Sequence, residues 1–322
     1  MAQLTSDESA CANDSHSLTS SVTDYPIENG RQYHRYHEGS YIYPNDEREM
    51  DRQDMQYHML KLVNNGQIFF APLDNPKQIL DIGTGTGIWP VEMAALFPDS
   101  QITGTDLSPV QPTDVPENVH FLIDYAMESD WLWPENHFDY IHTSMLLGSF
   151  ESFEDLLKTA FKYLKPGGYI ECHDYDIDLQ CDDDTLPIPD ANGHSSYGLH
   201  NWIRLHSIAT SQMIKPPRPM NTAPKITGWM RAAGFADVQE RVSKVPLTPW
   251  SRDKRLRKIG HWNQQNWLDG LSAFSYISFG PRGLGWSQDA IEVFLVEVRE
   301  SLRDLSVHAY NNFHAVVARK PE

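Results

Sequence analysis

The stretch QILDIGTGTG, residues 78–87, decides the fold of this chain. Residues 78–82 read as an apolar strand, and three glycines follow at alternate positions: Gly83, Gly85 and Gly87. Glycine has no Cβ, so the turn can be tight and a ligand can lie against bare backbone. The stretch therefore predicts a strand, a ligand-binding turn and a helix in succession.

Short apolar strands alternate with helical segments on either side of this turn. Strands are predicted at 78–82, 101–106, 119–123, 138–142 and 169–174, and helices at 91–97 and 153–164. Alternation of this kind is typical of βαβ units, which form a parallel sheet with helices on both faces. The sequence therefore predicts an α/β fold, with Lys165-Pro166-Gly167-Gly168 as the turn before the fifth strand.

The segments outside this core are less regular. We expect helices at 46–63, 198–214, 224–234, 252–278 and 288–305, and strands at 237–242 and 307–318. The first 27 residues are polar, with too little apolar surface to offset the entropy of ordering, which predicts a disordered tail.

The acid at the end of the second strand indicates the class of ligand. Asp106 could accept both hydroxyls of a ribose at the carboxyl ends of the strands. The glycines are spaced G-x-G-x-G rather than G-x-G-x-x-G, and Asp81 stands beside them. A carboxylate there suits an ammonium or a sulfonium better than a diphosphate, which favours S-adenosyl-L-methionine over NAD. A turn that serves only packing is the third interpretation.

Further residues complete the predicted cofactor site. Asp124, after the third strand, could accept from an adenine amino group, or could be an ordinary turn acid. Tyr125 could cover the adenine ring, and tyrosines of the N-terminal segment could lie over the sulfonium or simply pack on the core. The predicted cofactor-binding residues are Asp81, Gly83, Gly85, Gly87, Asp106, Leu107, Asp124, Tyr125, Tyr33 and Tyr41.

Three side chains at the ends of later strands are candidates for catalysis. His142 follows the fourth strand, and His173 and Asp174 follow the fifth. A base is needed only if the nucleophile starts protonated. We place His142 first among these candidates. A histidine at the rim of the cleft that only hydrogen-bonds to backbone groups is an equally good interpretation of this residue. Asp182 and Asp183 read as a solvated loop, and no metal site is predicted.

Charge and composition restrict the possible partners. With 26 Lys and Arg against 44 Asp and Glu, the net charge is −18. The negative electrostatic field of such a chain disfavours direct contact with nucleic acid or with anionic membranes. Three cysteines without a CxxC pair indicate neither a disulfide framework nor a zinc site. The basic cluster at 252–258 could be a nuclear address or an exposed helix face.

Taken together, the motifs resemble those of class I S-adenosylmethionine-dependent methyltransferases, and more narrowly the fungal LaeA-type regulators of secondary metabolism. They include Asn29-Gly30-Arg31, Gly85-Thr86-Gly87-Ile88-Trp89, Asp106-Leu107, Glu128-Ser129, Pro166-Gly167-Gly168, Cys181-Asp182-Asp183, Pro249-Trp250 and His308-Ala309-Tyr310. The chain departs from the LaeA pattern at Thr84, where a cysteine is usual, and at Ala126, where an acid is usual.

The resemblance implies a Rossmann-like, mostly parallel seven-stranded sheet with helices on both faces. It also implies one methyltransferase domain at 28–322, with an N-terminal cap at 28–70, a donor-binding core at 76–175 and a helical insertion at 251–306. The expected role is regulation of biosynthetic gene clusters in a velvet-type complex in the nucleus, with the cytoplasm as a further location. The alternatives are a biosynthetic methyltransferase acting on a small molecule and a donor-binding scaffold without turnover.

Overall fold

The computed structural model describes residues 25–37 and 39–322, so residues 1–24 of the predicted tail lie outside the described part. The described part of the chain begins with a small antiparallel hairpin, in which β1 (Ile27–Glu28) pairs with β2 (Arg31–Gln32). Asn29 and Gly30 turn this hairpin, both with positive φ. Ile27, which the sequence assigned to the tail, is thus paired with Gln32.

The hairpin is followed by seven longer strands and seven α-helices. In chain order they are α1 (Glu47–Val63), β3 (Gln78–Ile82), α2 (Ile88–Leu96), β4 (Gln101–Asp106), β5 (Val119–Ile123), β6 (Phe138–Ser144), α3 (Phe153–Tyr163), β7 (Leu164–Tyr175), α4 (Gly198–Ile208), α5 (Ala223–Ala232), β8 (Ala236–Pro246), α6 (Lys254–Phe279), α7 (Gln288–Ser301) and β9 (Tyr310–Arg319). None of the helices in these described ranges is both long enough and apolar enough to cross a membrane.

The seven longer strands form one sheet in the order β5-β4-β3-β6-β7-β9-β8. The neighbours from β5 to β7 are parallel, and β9 inserts antiparallel between β7 and β8. The strand order reverses between β3 and β6, because β4 and β5 lie on one side of this point and β7 lies on the other. Ligands of open α/β sheets bind at such a reversal. The predicted mostly parallel seven-stranded α/β fold is confirmed.

Capping residues explain where several helices begin. Asp46 accepts from the Glu49 amide at the start of α1, and Ser152 accepts from the Asp155 amide at the start of α3. Satisfied amide donors stabilise the first turn of a helix. Gly87 begins α2 instead with a left-handed backbone and no side-chain cap.

Several predicted boundaries were wrong. Residues 165–168 lie inside β7 rather than in a turn before it, because Gly167 donates to the Lys320 carbonyl next to the end of β9. The predicted helix 198–214 is α4 followed by a π-helical turn, Ala209–Met213. The last strand begins at Tyr310 rather than at 307, since the His308 amide bonds the Thr185 hydroxyl outside the sheet.

Candidate functional site

A cavity of about 200 Å³, here called the main cavity, opens at the carboxyl ends of β3, β4, β5, β6 and β7. Most of the predicted site residues line it: Tyr41, Asp81, Gly83, Gly85, Asp106, Leu107, Asp124, Tyr125, His142 and His173. Gly87, Tyr33 and Asp174 do not line it. Sequence reasoning thus located the cavity and the part of its wall that lies at the strand ends.

The glycine turn forms a bare-backbone edge of the main cavity. Gly83 and Gly85 have φ values of 67° and 58°, a region that residues with a Cβ rarely adopt. A Cβ at Gly85 would lie 2.7 Å from Gln53 Oε1, and one at Gly83 would lie 2.5 Å from Leu146 Cδ2. The turn therefore depends on glycine both for its conformation and for its close neighbours.

Gly87, the third glycine of the turn, packs against β5 and does not line the main cavity. Its φ is 79°, and a Cβ there would lie 2.4 Å from the Phe121 ring. The alternate spacing of the glycines does not distinguish Gly87 from Gly83 and Gly85. Gly87 caps the start of α2 and lies against Phe121 of β5.

Asp106 is fixed to the turn by its own carboxylate. The Gly85 amide donates to Asp106 Oδ2 at 2.9 Å, and the Ser108 amide donates to Oδ1 at 3.0 Å. Burial raises the pKa of Asp106 to about 6 even though these amides favour its ionised form. The carboxylate still has lone pairs to accept hydroxyl hydrogens, as the sequence predicted for a ribose.

Asp124 and Tyr125 form the neighbouring wall. Burial raises the pKa of Asp124 above its usual value, and Glu128 adds to the shift. His37 of the N-terminal segment lies over Tyr125, with ring centroids 4.7 Å apart, and its Nε2 lies 3.3 Å from Glu128 Oε1. The N-terminal segment therefore contacts the wall predicted to face adenine.

One row of polar residues crosses the sheet beneath the cavity. Asp81 of β3 lies opposite His142 of β6, and His142 lies opposite Glu171 of β7. Residues opposite one another in neighbouring strands point to the same face of the sheet. The Glu171 carboxylate accepts from the Phe70 and Ala71 amides and from the Tyr140 hydroxyl, each at 2.9 Å.

His142 has one nitrogen engaged and one free. Its Nδ1 lies 2.7 Å from Asp81 Oδ1, and Thr84 donates its hydroxyl to the other oxygen, Asp81 Oδ2. The ring stacks on Trp89 with centroids 4.0 Å apart and planes within 4°. His142 Nε2 is buried and has no hydrogen-bond partner among the described residues. His142 therefore combines a cavity position with a buried nitrogen that no described residue engages.

The other two catalytic candidates are less suited to that role. His173 lines the cavity, but its Nε2 already pairs with Glu171 Oε1 at 2.6 Å. Burial alone would raise the pKa of Glu171, yet the hydrogen bond from His173 holds it below the usual value. Asp174 lies outside the cavity wall, and burial raises its pKa to about 8.

The two predicted lid tyrosines have different positions. Tyr41 lines the main cavity, and its ring lies 5.3 Å from that of Tyr43 in an edge contact. Tyr33 is buried with Ile42 and Ile277 in a separate apolar cluster. Tyr33 therefore packs against the core, which was the alternative interpretation of these tyrosines.

Sequence reasoning missed several wall residues that lie far from the glycine turn in sequence. Gln53 of α1 lines the main cavity and lies over Gly85. Met145 follows β6 with a φ of 57°, a strained conformation for a residue with a side chain. A left-handed methionine leaves no mark in a sequence, so no signal could have found it.

The charge of the main cavity is acidic at its glycine-rich end. Its two lysine or arginine side chains among the described residues are neutralised: Lys61 by Glu92 at 2.5 Å and Arg52 by Glu49 at 2.6 Å. Asp106 and Asp124 have no cationic partner of this kind. The wall therefore suits a ligand that carries cations and hydroxyls rather than phosphates.

Two other motifs from the sequence lie away from the cavity. Asp183 pairs with His308, and Asp182 accepts from Tyr310 at 2.8 Å, so the acidic loop is tied to the start of β9. Residues 25–37 and 39–322 contain no group of three or more His, Cys, Asp or Glu able to hold a metal ion. In the basic cluster, Arg255 donates to the Leu62 carbonyl at the end of α1.

Comparisons with known proteins agree with this architecture. The family model described as a methyltransferase domain matches residues 52–240. Methyltransferase pytC of Aspergillus terreus is 37% identical over 307 residues, which cover 95% of this chain and 91% of that protein. Secondary metabolism regulator LAE1 of Cochliobolus heterostrophus is 37% identical over 304 residues, 92% and 95% of the two chains. Secondary metabolism regulator laeA of Aspergillus flavus is 32% identical over 315 residues, 97% and 82%.

Proposed function

This chain belongs to the methyltransferase domain family, and we propose that it transfers a methyl group from S-adenosyl-L-methionine to an acceptor held beside the main cavity. The observation that carries the proposal is the contact between the glycine turn and Asp106, in which the Gly85 amide fixes the carboxylate at 2.9 Å. That contact places a bare backbone next to an acid suited to a ribose.

The residues of the main cavity fit this donor. Gly83 and Gly85 leave room that a Cβ would fill, and the remaining lone pairs of the Asp106 carboxylate suit ribose hydroxyls. Asp106 would hold the ribose, while Asp124 and Tyr125 would hold the adenine. When bound, S-adenosyl-L-methionine supplies a methyl group on a sulfonium, whose sulfur leaves as a neutral thioether.

The chain itself contributes positioning and one proton acceptor. Holding the reactants in line accounts for most of the rate of such a transfer. His142 accepts the proton that the acceptor releases, at Nε2, because Asp81 holds the hydrogen on Nδ1. Trp89, stacked on the imidazole, keeps the ring from rotating.

Calorimetric titration tests donor binding. Titration with S-adenosyl-L-methionine should give a one-site isotherm in the micromolar range, while NAD should give none. Binding of NAD alone would overturn the proposal, since the acidic wall would then hold a diphosphate.

The proposed role is that of a LaeA-like regulator of secondary metabolite gene clusters. The relatives LAE1 and laeA, both named secondary metabolism regulators, support it. We place this role in the nucleus, in a complex with velvet-family proteins, so that a chain of net charge −18 reaches chromatin through a partner. Transcript profiling after gene deletion is the test, and unchanged expression of every biosynthetic cluster would contradict it.

A small-molecule methyltransferase of a fungal biosynthetic pathway is the second candidate. A second cavity that adjoins the main one favours it, and so does the relative pytC, which is named a methyltransferase. Gene deletion distinguishes the two roles. Loss of one methylated product with unchanged cluster transcripts would support the biosynthetic role.

A further inference from the structure

A cavity of about 90 Å³, called the second cavity, adjoins the main cavity beneath α1 and α6. The two cavities share four wall residues: Tyr41, Arg52, Gln56 and Met145. Met145, at the shared wall, is held in a left-handed conformation with its amide donating to the His173 carbonyl at 2.8 Å. Strained backbone of this kind persists where the surrounding structure demands it, often at functional sites.

The wall of the second cavity is largely aromatic and lies inside the fold. Six aromatic side chains line it: Tyr41, Tyr43, Tyr175, Trp202, Trp267 and Phe274. Tyr43, Tyr175 and Trp202 are themselves buried. Apolar cavities on the order of 150 Å³ hold benzene, so the second cavity takes no more than one ring.

The second cavity presents no free charge. Of the described residues that line it, Glu49 and Arg52 are the ionisable acid and base, and Arg52 Nη2 lies 2.6 Å from Glu49 Oε1. Arg52 Nη1 also donates to Asn266 Oδ1 at 2.6 Å, and the guanidinium lies 5.0 Å from the Phe274 ring centre. A charged ligand would therefore lose its hydration without gaining a counter-ion.

One fully buried side-chain oxygen in this wall has no partner among the described residues. The Tyr175 hydroxyl is buried and makes no hydrogen bond with the described residues, and burial keeps it protonated by raising its pKa. The Tyr43 hydroxyl, in the same wall, already donates to Met220 Sδ at 3.5 Å. Buried polar groups are rarely left unpaired, so the Tyr175 hydroxyl suits an oxygen brought by a ligand.

We propose that the second cavity is the acceptor subsite and that it takes an uncharged, mostly apolar small molecule with at most one ring, whose hydroxyl or carbonyl oxygen accepts from Tyr175. This inference rests on the proposed methyl transfer, because it assigns the place of the acceptor. The atom to be methylated then lies at the wall shared with the main cavity, near Met145.

The test uses the full chain and three probes of similar shape: p-cresol, which is neutral, benzoate and benzylammonium. Binding is followed by tryptophan fluorescence, since Trp202 and Trp267 line the cavity. We expect saturable binding of p-cresol with benzoate and benzylammonium at least tenfold weaker. Equal binding of a charged probe would overturn the proposal.

Tyr175→Phe and Tyr43→Phe form a matched pair of variants. Tyr175→Phe should weaken p-cresol about five- to tenfold, the effect of one lost hydrogen bond, whereas Tyr43→Phe should leave it within twofold. Tyr175→Phe should also keep the wild-type melting temperature, because no internal hydrogen bond is lost. Equal effects of the two variants on p-cresol would contradict the assignment.

Separate titration with S-adenosyl-L-methionine distinguishes a failure of the acceptor assignment from a failure of the proposed methyl transfer. If the donor binds and p-cresol does not, the acceptor assignment fails while methyl transfer stands. If p-cresol binds through Tyr175 and the donor does not bind, the proposed function fails and the acceptor assignment fails with it.

Discussion

Asp81 and His142 lie directly opposite each other in parallel strands β3 and β6, and their side chains form a buried hydrogen bond of 2.7 Å between Oδ1 and Nδ1. An ionised carboxylate can only accept, so Nδ1 carries the hydrogen. His142 Nε2 is then the nitrogen with the free lone pair. The strand register thus sets the tautomer on which the proposed proton transfer depends.

Nitrogen NMR can read this tautomer. We expect His142 to carry its hydrogen on Nδ1 and to show an unprotonated Nε2. His206 supplies an internal control of the opposite kind, because its Nε2 lies 3.1 Å from the Phe274 carbonyl and so carries the hydrogen. Burial lowers the pKa of His206 to about 4, which keeps it neutral at pH 7. A protonated His142 Nε2 at pH 7 would rule out its role as base.

Alanine at Gly85 and at Gly87 should separate ligand binding from folding. Both positions have positive φ, so backbone strain should cost each variant about 1–2 kcal/mol of stability, and the new Cβ of Gly87→Ala must also displace the Phe121 ring. Gly85 lines the main cavity and Gly87 does not. Calorimetry should therefore show at least a tenfold loss of donor affinity for Gly85→Ala, and little loss for Gly87→Ala in its folded fraction. Equal losses would mean that the turn acts only through its conformation.

The pKa of Asp106 predicts how donor binding depends on pH. Its carboxylate is ionised at pH 7.5 and protonates as the pH falls through about 6. Affinity for the donor should then fall roughly fourfold between pH 7.5 and pH 5.5, as the ionised fraction falls. Asp106→Asn should bind weakly at both values with a smaller change, and comparison of the two proteins cancels the donor's own titration. Parallel pH profiles would contradict a ribose contact by this carboxylate.

The sequence predicted best those wall residues that lie at the carboxyl end of a strand. Asp81 is the last residue but one of β3, and Asp106 ends β4. Parallel strands bring their carboxyl ends to one edge of the sheet. Gly87 and Tyr33 lie outside the wall of the main cavity, because their positions depend on distant partners, the Phe121 ring and the cluster around Ile277.

The second cavity could be predicted only in part. The sequence predicted a helical insertion at 251–306, and two aromatic residues of that segment, Trp267 and Phe274, line the second cavity. Trp286 packs instead with Phe279 at 5.5 Å, outside that wall. Helical spacing fixes which residues share a face of α6, but the side that meets α1 depends on packing between elements far apart in the chain.

The stability of the protein should depend on pH through Asp174. Burial raises its pKa to about 8 in the folded chain, against roughly 3.9 in an unfolded one. Between these values the folded state binds more protons, so the free energy of unfolding should fall as the pH rises, by at most ~1.4 kcal/mol per pH unit. Urea unfolding at pH 5, 6.5 and 8 would show this slope.

Asp174→Asn should remove that part of the slope, because an amide does not ionise. Other groups with raised pKa values, such as Asp106, contribute equally to both proteins, so the difference isolates Asp174. Asp139 provides a control of opposite sign: despite its partial burial, Lys165 lowers its pKa, and its contribution is lost as the pH falls. Because the pKa of Asp139 is lowered from roughly 3.9 in an unfolded chain, its contribution changes only at pH values below this range. Asp139→Asn should therefore leave the slope between pH 5 and pH 8 unchanged, while Asp174→Asn makes it shallower. An unchanged slope in Asp174→Asn would mean that this carboxyl is ionised in the folded protein at neutral pH.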